Sequence, residues 1–339
     1  MHVPDGFLNV GTSLATGAAS AGTVAVALRQ TSARVRDAQV PLAGLAAAFV
    51  FAAQMVNFPV AAGTTGHLLG GALVAILLGP SLGLVVVTVV VVVQALVFAD
   101  GGLTAIGTNV LNMAIVTSLG GWAVFRFVRR LLPATARAVV VATWIAAFAS
   151  VLLSSMAFSL EWLFGATAPV AFDTVFVAMV GVHALIGVAE AVISALTVQA
   201  VLAVRPDLVH GADGVRHPGA RGRRSPRPLV IGGLAIAMLL AAGLAQVAAD
   251  APDGLERVAI DLGFADAAEG HALGSSVFAS YATAGVDDPG LSLALAGISG
   301  TALTMAVGGG LVLALRGRRR DEVATATQGP IDVIESRVG

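Results

Sequence analysis

Runs of apolar residues long enough to cross a bilayer recur nine times along the chain, separated by polar stretches that hold nearly all of its charge. They fall at roughly residues 8–28, 41–58, 64–79, 82–99, 106–126, 137–159, 174–204, 229–249 and 289–315. The pattern predicts an all-α, polytopic membrane protein. The third run is short and Gly-rich and carries His67, so a re-entrant segment is its alternative reading. Arginine placement counts it as a crossing. Three Arg lie at 29–36, four at 126–137, six at 205–227 and four at 316–320, and the positive-inside rule assigns all four groups to the cytoplasm. An even number of crossings must then separate the first two groups, which requires 64–79 to span.

The resulting topology has the N-terminus outside and the C-terminus inside. Its external loops are acidic, with Asp100, Glu161, Asp173 and a carboxylate-rich stretch at 250–288. An acidic outer face attracts cations modestly, although any positive-inside protein tends to show one. Residues 1–28 lack the basic start of a signal peptide, carry Asp5 instead and are followed by Arg, so Met1 and His2 are expected to be retained outside. The segment 205–228, rich in Pro, Gly and Arg, reads as a flexible cytoplasmic linker. It divides a seven-helix body, 1–204, from a two-helix unit, 229–315, whose helices bracket the external loop 250–288. Residues 316–339 form a cytoplasmic tail, expected to be disordered after Arg320.

Composition narrows the chemistry. Hydrophobic residues make up 57% of the 339 and charged residues only 12%, against about 25% in soluble domains. Cysteine is absent, which excludes disulfides, thiolate metal sites and cysteine nucleophiles. Lysine is absent too, so no Walker A motif exists, and ATP-driven transport would need an ATPase on a partner chain.

The most informative chemistry stands at the start, Met1-His2-Val3-Pro4-Asp5-Gly6-Phe7-Leu8. A histidine at position two lets the terminal amine, the His2 amide nitrogen and His2 Nδ1 close a five- and a six-membered ring on one ion. Planar nitrogen geometry favours Ni(II) or Cu(II), and imidazole suits neighbouring first-row metals. His67, in Gly63-Thr64-Thr65-Gly66-His67-Leu68-Leu69-Gly70-Gly71, is an imidazole at the outer start of the third run. Such a group near bilayer depth is a functional candidate, with a structural histidine as the alternative. A terminus folded back into an outer cavity would meet it and complete a four-nitrogen plane. Asn109 and Asn112 share a helix face and either orient ligands or join helices. His183 and Glu190, seven residues apart, read as a polar pair in the bundle with a structural or coupling role. His210, His217 and His271 lie in loops and read as solvated.

Four stretches in order, MHVPDGFL, FPVAAGTTGHLLGGALVAILLGP, VVQALVFADGGLTAIGTNVLNMAIV and GVHALIGVAEAVISAL, resemble the CbiM/NikM family across residues 1–204. These are substrate-binding S components of cobalt and nickel energy-coupling-factor (ECF) transporters. The resemblance implies a seven-helix body with the metal held on its outer side by Met1, His2 and His67. The stretch Ala251-Pro252-Asp253-Gly254-Leu255-Glu256 resembles the PDGLE domain, related to the CbiN/NikN accessory subunits. The chain thus reads as a fusion, in the bacterial plasma membrane, working with a transmembrane coupling component (T component) and an ABC ATPase. Its ligand is a transported Co2+ or Ni2+, with no prosthetic group and no nucleic-acid partner. The carboxylates of the 250–288 loop are scattered among apolar residues, so the loop is expected to aid capture without supplying ligands. A membrane metal sensor or assembly scaffold is the alternative. An intramembrane hydrolase is disfavoured because no His-Glu-x-x-His motif occurs and His183 has no acid at that spacing.

Overall fold

The computed structural model describes residues 1–61, 63–215 and 225–328, with 318–328 as backbone alone. Residues 1–8 are non-helical. Asn9 then caps helix α1 (Val10–Arg34) by accepting from the Thr12 amide, which satisfies one of the free donors at the helix start. Helix α2 (Gln39–Gln54) leads into a hairpin of β1 (Phe58–Ala61) and β2 (Thr64–Gly66), followed by a short α3 (Gly71–Leu78). The body is completed by α4 (Pro80–Val97), α5 (Ile106–Leu131), α6 (Ala136–Gly165) and α7 (Phe172–Val204). The C-terminal unit adds α8 (Arg227–Ala242), the short α9 (Gly254–Asp261) and α10 (Pro289–Gln328). Among the described residues, seven helices are long and apolar enough to cross a membrane: α1, α4, α5, α6, α7, α8 with its 3-10 extension, and α10.

The third apolar run departs from expectation. Residues 64–79 do not form one spanning helix: 64–66 pair as a strand, 67–70 have no regular structure, and only 71–78 are helical. Eight residues rise about 12 Å, well short of the roughly 30 Å hydrocarbon core. The cause is local. β-Branched Thr64 and Thr65 favour strand, and Gly70 takes the left-handed region at φ 81°. Non-helical backbone of this kind survives in a membrane protein only when sheltered by other protein, and here residues 64–75 are buried throughout. The break between α3 and α4 is also encoded, by Gly79 at φ 96° and Pro80 at the first helical position.

Within α5, residues Val110–Gly120 adopt π-helical bonding. There the start of α3 lies against α5 so closely that a Cβ on Gly71 would fall 1.8 Å from Thr117 Oγ1. The C-terminal unit docks on α2 in the same small-residue manner. A Cβ on Gly44 would lie 2.9 Å from the Met305 carbonyl, and Gly309 Cα would be 3.4 Å from it. Close backbone approach is what such positions provide between membrane helices.

The two ends of the bundle differ. At one, Arg316 pairs with Asp37 at 2.9 Å, Ser32 bonds the Leu315 carbonyl, and half-buried His210 stacks on Trp122. At the other, the stretch after α8 makes four backbone hydrogen bonds to three separate segments, the hairpin with its approach, the N-terminus and the end of α4: Ala249 to Asn57, Thr65 to Pro252, Glu269 to Asp5 and Ser280 to Phe98. The segment 250–288 is therefore a fitted cover for that end. Two further expectations change. The ends of the 205–228 stretch are ordered, as 3-10 turns at Pro206–Leu208 and His210–Ala212 and as the start of α8. The last helix continues to Gln328 rather than stopping near 315.

Gly300 of α10 faces Phe51 and Phe98, and a Cβ there would lie 2.1 Å from Phe51 Cζ. Gly300→Leu should overpack this contact, at about 1–3 kcal/mol, and lower the thermal unfolding midpoint of the detergent-purified protein. Gly310→Leu, on a position with nothing within 4 Å, should leave the midpoint unchanged.

Candidate metal centre

The N-terminal strand is threaded into the end of the bundle covered by the 250–288 segment. Met1, Val3, Phe7 and Leu8 are all buried. Asn109 grips Val3 from both sides: its Oδ1 accepts from the Val3 amide at 2.7 Å and its Nδ2 donates to the Val3 carbonyl at 3.0 Å. The Asp5 carboxylate accepts from the Leu103 and Thr104 amides and from the Thr104 hydroxyl. Gly102 makes this embrace possible, because a Cβ there would lie 2.2 Å from the Asp5 amide nitrogen. Phe7 packs edge-on against Phe264, which in turn packs against Trp162.

This anchoring delivers the Met1 amine to His67, 2.8 Å from Nε2. His67 Nδ1 faces the Leu68 carbonyl at 3.0 Å, and since a carbonyl only accepts, Nδ1 carries the proton. Nε2 is then a bare lone pair aimed at the amine. The loop behind His67 is locked by Glu190, whose two carboxylate oxygens accept from the Leu69 and Gly70 amides at 2.6 and 2.8 Å. Those donors stand at the start of α3, where a carboxylate also meets the positive end of the helix dipole. Gln54 adds a bond to the Leu69 carbonyl.

His2 lies beside this pair, its ring stacked on His67 with centroids 5.3 Å apart. Its nitrogens are engaged elsewhere. Nε2 is 3.1 Å from Gln94 Oε1 and Nδ1 is 3.2 Å from Asp100 Oδ1. Tyr281 closes the circle, accepting from Gln94 and donating to Asp100. Burial lowers the His2 imidazole below its ordinary value despite the neighbouring Asp100 carboxylate, which raises it. The structure thus brings amine and His67 together but leaves the His2 ring turned away, so that a closed chelate requires it to rotate.

One residue at the site was missed by sequence reasoning. Asp253, in the C-terminal unit, places Oδ2 2.7 Å from the Met1 amine and 3.9 Å from His67 Nε2. Burial alone would raise this carboxyl, but the amine and His67 hold it well below the usual carboxylate range. The 250–288 loop, expected to aid capture without supplying ligands, thus touches the Met1 amine directly through Asp253. The signal was present as Pro252-Asp253-Gly254, a helix-capping aspartate before a glycine able to pack closely. It was passed over because a single carboxylate makes no cage, yet the amine and imidazole supply the other donors.

The remaining candidates scatter. Asn112 donates to Glu161 at 2.7 Å and does not touch the N-terminal strand through its side chain. His183 and Glu190 are both buried but have separate partners. His183 Nδ1 bonds the Met179 carbonyl, and its Nε2 has no hydrogen-bond partner and lines a small cavity with Met1, His67 and Asp253. His271 accepts from the Leu273 amide, and His217 lies outside the described residues. Among the described residues, no cluster of three His, Asp or Glu side chains is placed to hold a metal. Only the terminal amine gathers one.

Comparison with known proteins agrees with this architecture. Residues 2–208 match the family described as the cobalt uptake substrate-specific transmembrane region, and residues 227–317 match the PDGLE domain. A fused nickel transport protein of Rhodobacter capsulatus is 32% identical across 94% of this chain and 99% of its own length. A cobalt transport protein of Geobacter sulfurreducens is 34% identical over 72% of each chain. A crystal structure of a truncated transition metal transporter superposes with a TM-score of 0.53 at 31% identity, covering 60% of this chain and 99% of that one.

Asn109→Ala removes both hydrogen bonds to Val3, each worth about 0.5–1.5 kcal/mol. Hydrogen exchange in a peptide covering residues 1–8 should accelerate about tenfold or more. Asn112→Ala, whose side chain binds Glu161 instead, should leave that exchange near wild type.

Proposed function

Because this chain belongs to the cobalt-uptake family of substrate-specific transmembrane regions and carries a fused PDGLE domain, we propose that it captures Co2+ or Ni2+ as the S component of an ECF-type importer. Its relatives are transport proteins, and the chain is a metal-transporter component rather than an enzyme. The observation that carries the proposal is the 2.8 Å separation between the Met1 amine and His67 Nε2. That distance is the edge between neighbouring donors of one ion with bonds of about 2.0 Å. An ion bonded to both nitrogens would sit beside the line that joins them, about 2.0 Å from each.

Binding deprotonates the amine, and the His2 amide nitrogen and Nδ1 complete the plane once the ring leaves Asp100 and Gln94. Glu190 and Asn109 fix the two halves of the site without touching the ion, the first through the His67 loop and the second through Val3. The positive-inside rule, applied to the basic end of the bundle, supports an outer-side position for the N-terminal site. With no Lys in the chain, hydrolysis of ATP falls to a separate ABC ATPase, linked through a transmembrane coupling component.

An uncleaved N-terminal tag or an acetyl cap should abolish uptake of radiolabelled metal while membrane insertion persists, because either removes the amine as a ligand. His67→Ala should lower affinity by more than the roughly 10–100-fold typical of residues that only orient ligands. Normal uptake by a capped protein would contradict the chelate.

A further inference from the structure

The amine, His67 and Asp253 meet at a right angle. Met1 N lies 2.8 Å from His67 Nε2 and 2.7 Å from Asp253 Oδ2, while the two outer atoms are 3.9 Å apart. The midpoint between those outer atoms is therefore about 1.9 Å from all three donors, close to the bond lengths of first-row ions to nitrogen and oxygen. The two short separations match neighbouring corners of a planar or octahedral shell, and the long one matches its diagonal.

Asp253 is held for the position from three sides. Its Oδ1 accepts from the Leu255 and Glu256 amides as the cap of α9, which fixes the carboxylate and leaves Oδ2 for the amine. The preceding Pro252 carbonyl accepts from the Thr65 amide at 2.9 Å, two residues before His67. The following Gly254 lies flush on α7, where a Cβ would fall 2.7 Å from Ile186 Cδ1 and 3.0 Å from His183 Cε1. A larger residue there would push the carboxylate off the site.

We propose that Asp253 is a metal ligand of the loading state. The incoming ion is first held by the Met1 amine, His67 Nε2 and Asp253 Oδ2, and the His2 amide nitrogen then takes the carboxylate's corner. This rests on the reading that the amine and His67 hold the ion. In the closed chelate the amide nitrogen neighbours the amine and stands opposite His67, which is where Oδ2 lies now. The ammonium releases one proton to the solvent on loading and the amide a second on handover. The C-terminal unit thereby sets the rate of capture rather than the final affinity.

The test is rapid-mixing kinetics and equilibrium binding of Ni2+ and Co2+ by the purified full chain with a native N-terminus, comparing wild type, Asp253→Asn, Glu256→Gln and His67→Ala. Asn still caps a helix, so α9 stays in place. Asp253→Asn should slow association about tenfold or more while equilibrium affinity stays within about threefold. Glu256→Gln, a loss of charge from the same helix, should change the rate by no more than about twofold. Wild-type loading by Asp253→Asn, or equal slowing by Glu256→Gln, overturns the proposal. Loss of equilibrium binding in Asp253→Asn also overturns it, since the carboxylate would then be a permanent ligand. If His67→Ala binds as wild type, the functional reading itself fails, and that outcome is distinct from the others.

Discussion

A charged amine withdrawn from water must find partners for its protons, and in this protein those partners are His67 and Asp253. Leaving such a group buried and unpaired costs several kcal/mol, so the N-terminal strand can enter the bundle only where acceptors converge. Much of the surrounding structure follows from meeting that condition. Asn109 and Asp5 register the strand, Glu190 holds the loop that carries His67, and the C-terminal unit brings the carboxylate. The same acceptors that satisfy an ammonium are electron-pair donors for a metal. A site built to hold two protons is thereby already shaped for one cation.

The fusion to the PDGLE domain acquires a physical rationale from this arrangement. The 250–288 segment is bonded to the N-terminal strand, the hairpin and the turn before α5, so it is the wall of the site rather than an appendage. Its helices anchor it through small residues packed on α2, where Gly44, Gly300 and Gly309 permit close backbone approach. Asp253 brings the cover within one hydrogen bond of the amine.

Much of this was legible in the residues, for identifiable reasons. The long helices follow from apolar runs that water would not tolerate; His2 stood out because position two lets it chelate with the terminal amine, and His67 because imidazole is costly near bilayer depth. The hairpin at 58–66 was hidden because the apolar run of 64–79 and the charge count outweighed the strand preference of Thr64 and Thr65. The contact that holds residues 69 and 70 comes from Glu190 on a distant helix, which no local pattern announces. Asp253 was hidden because proximity across 252 positions is a property of packing rather than pattern. The orientation of the His2 ring depends likewise on Gln94, Asp100 and Tyr281, three residues that no local spacing connects.

The central claim is that the terminal amine and His67 hold the ion as nitrogen ligands. X-ray absorption on the nickel-loaded full chain with an unmodified N-terminus tests it most directly. The account requires a nitrogen-dominated shell at about 2.0 Å with the multiple scattering of coordinated imidazole, weakened in His67→Ala. A shell of oxygen atoms alone, with no imidazole scattering and no change in that variant, would contradict it.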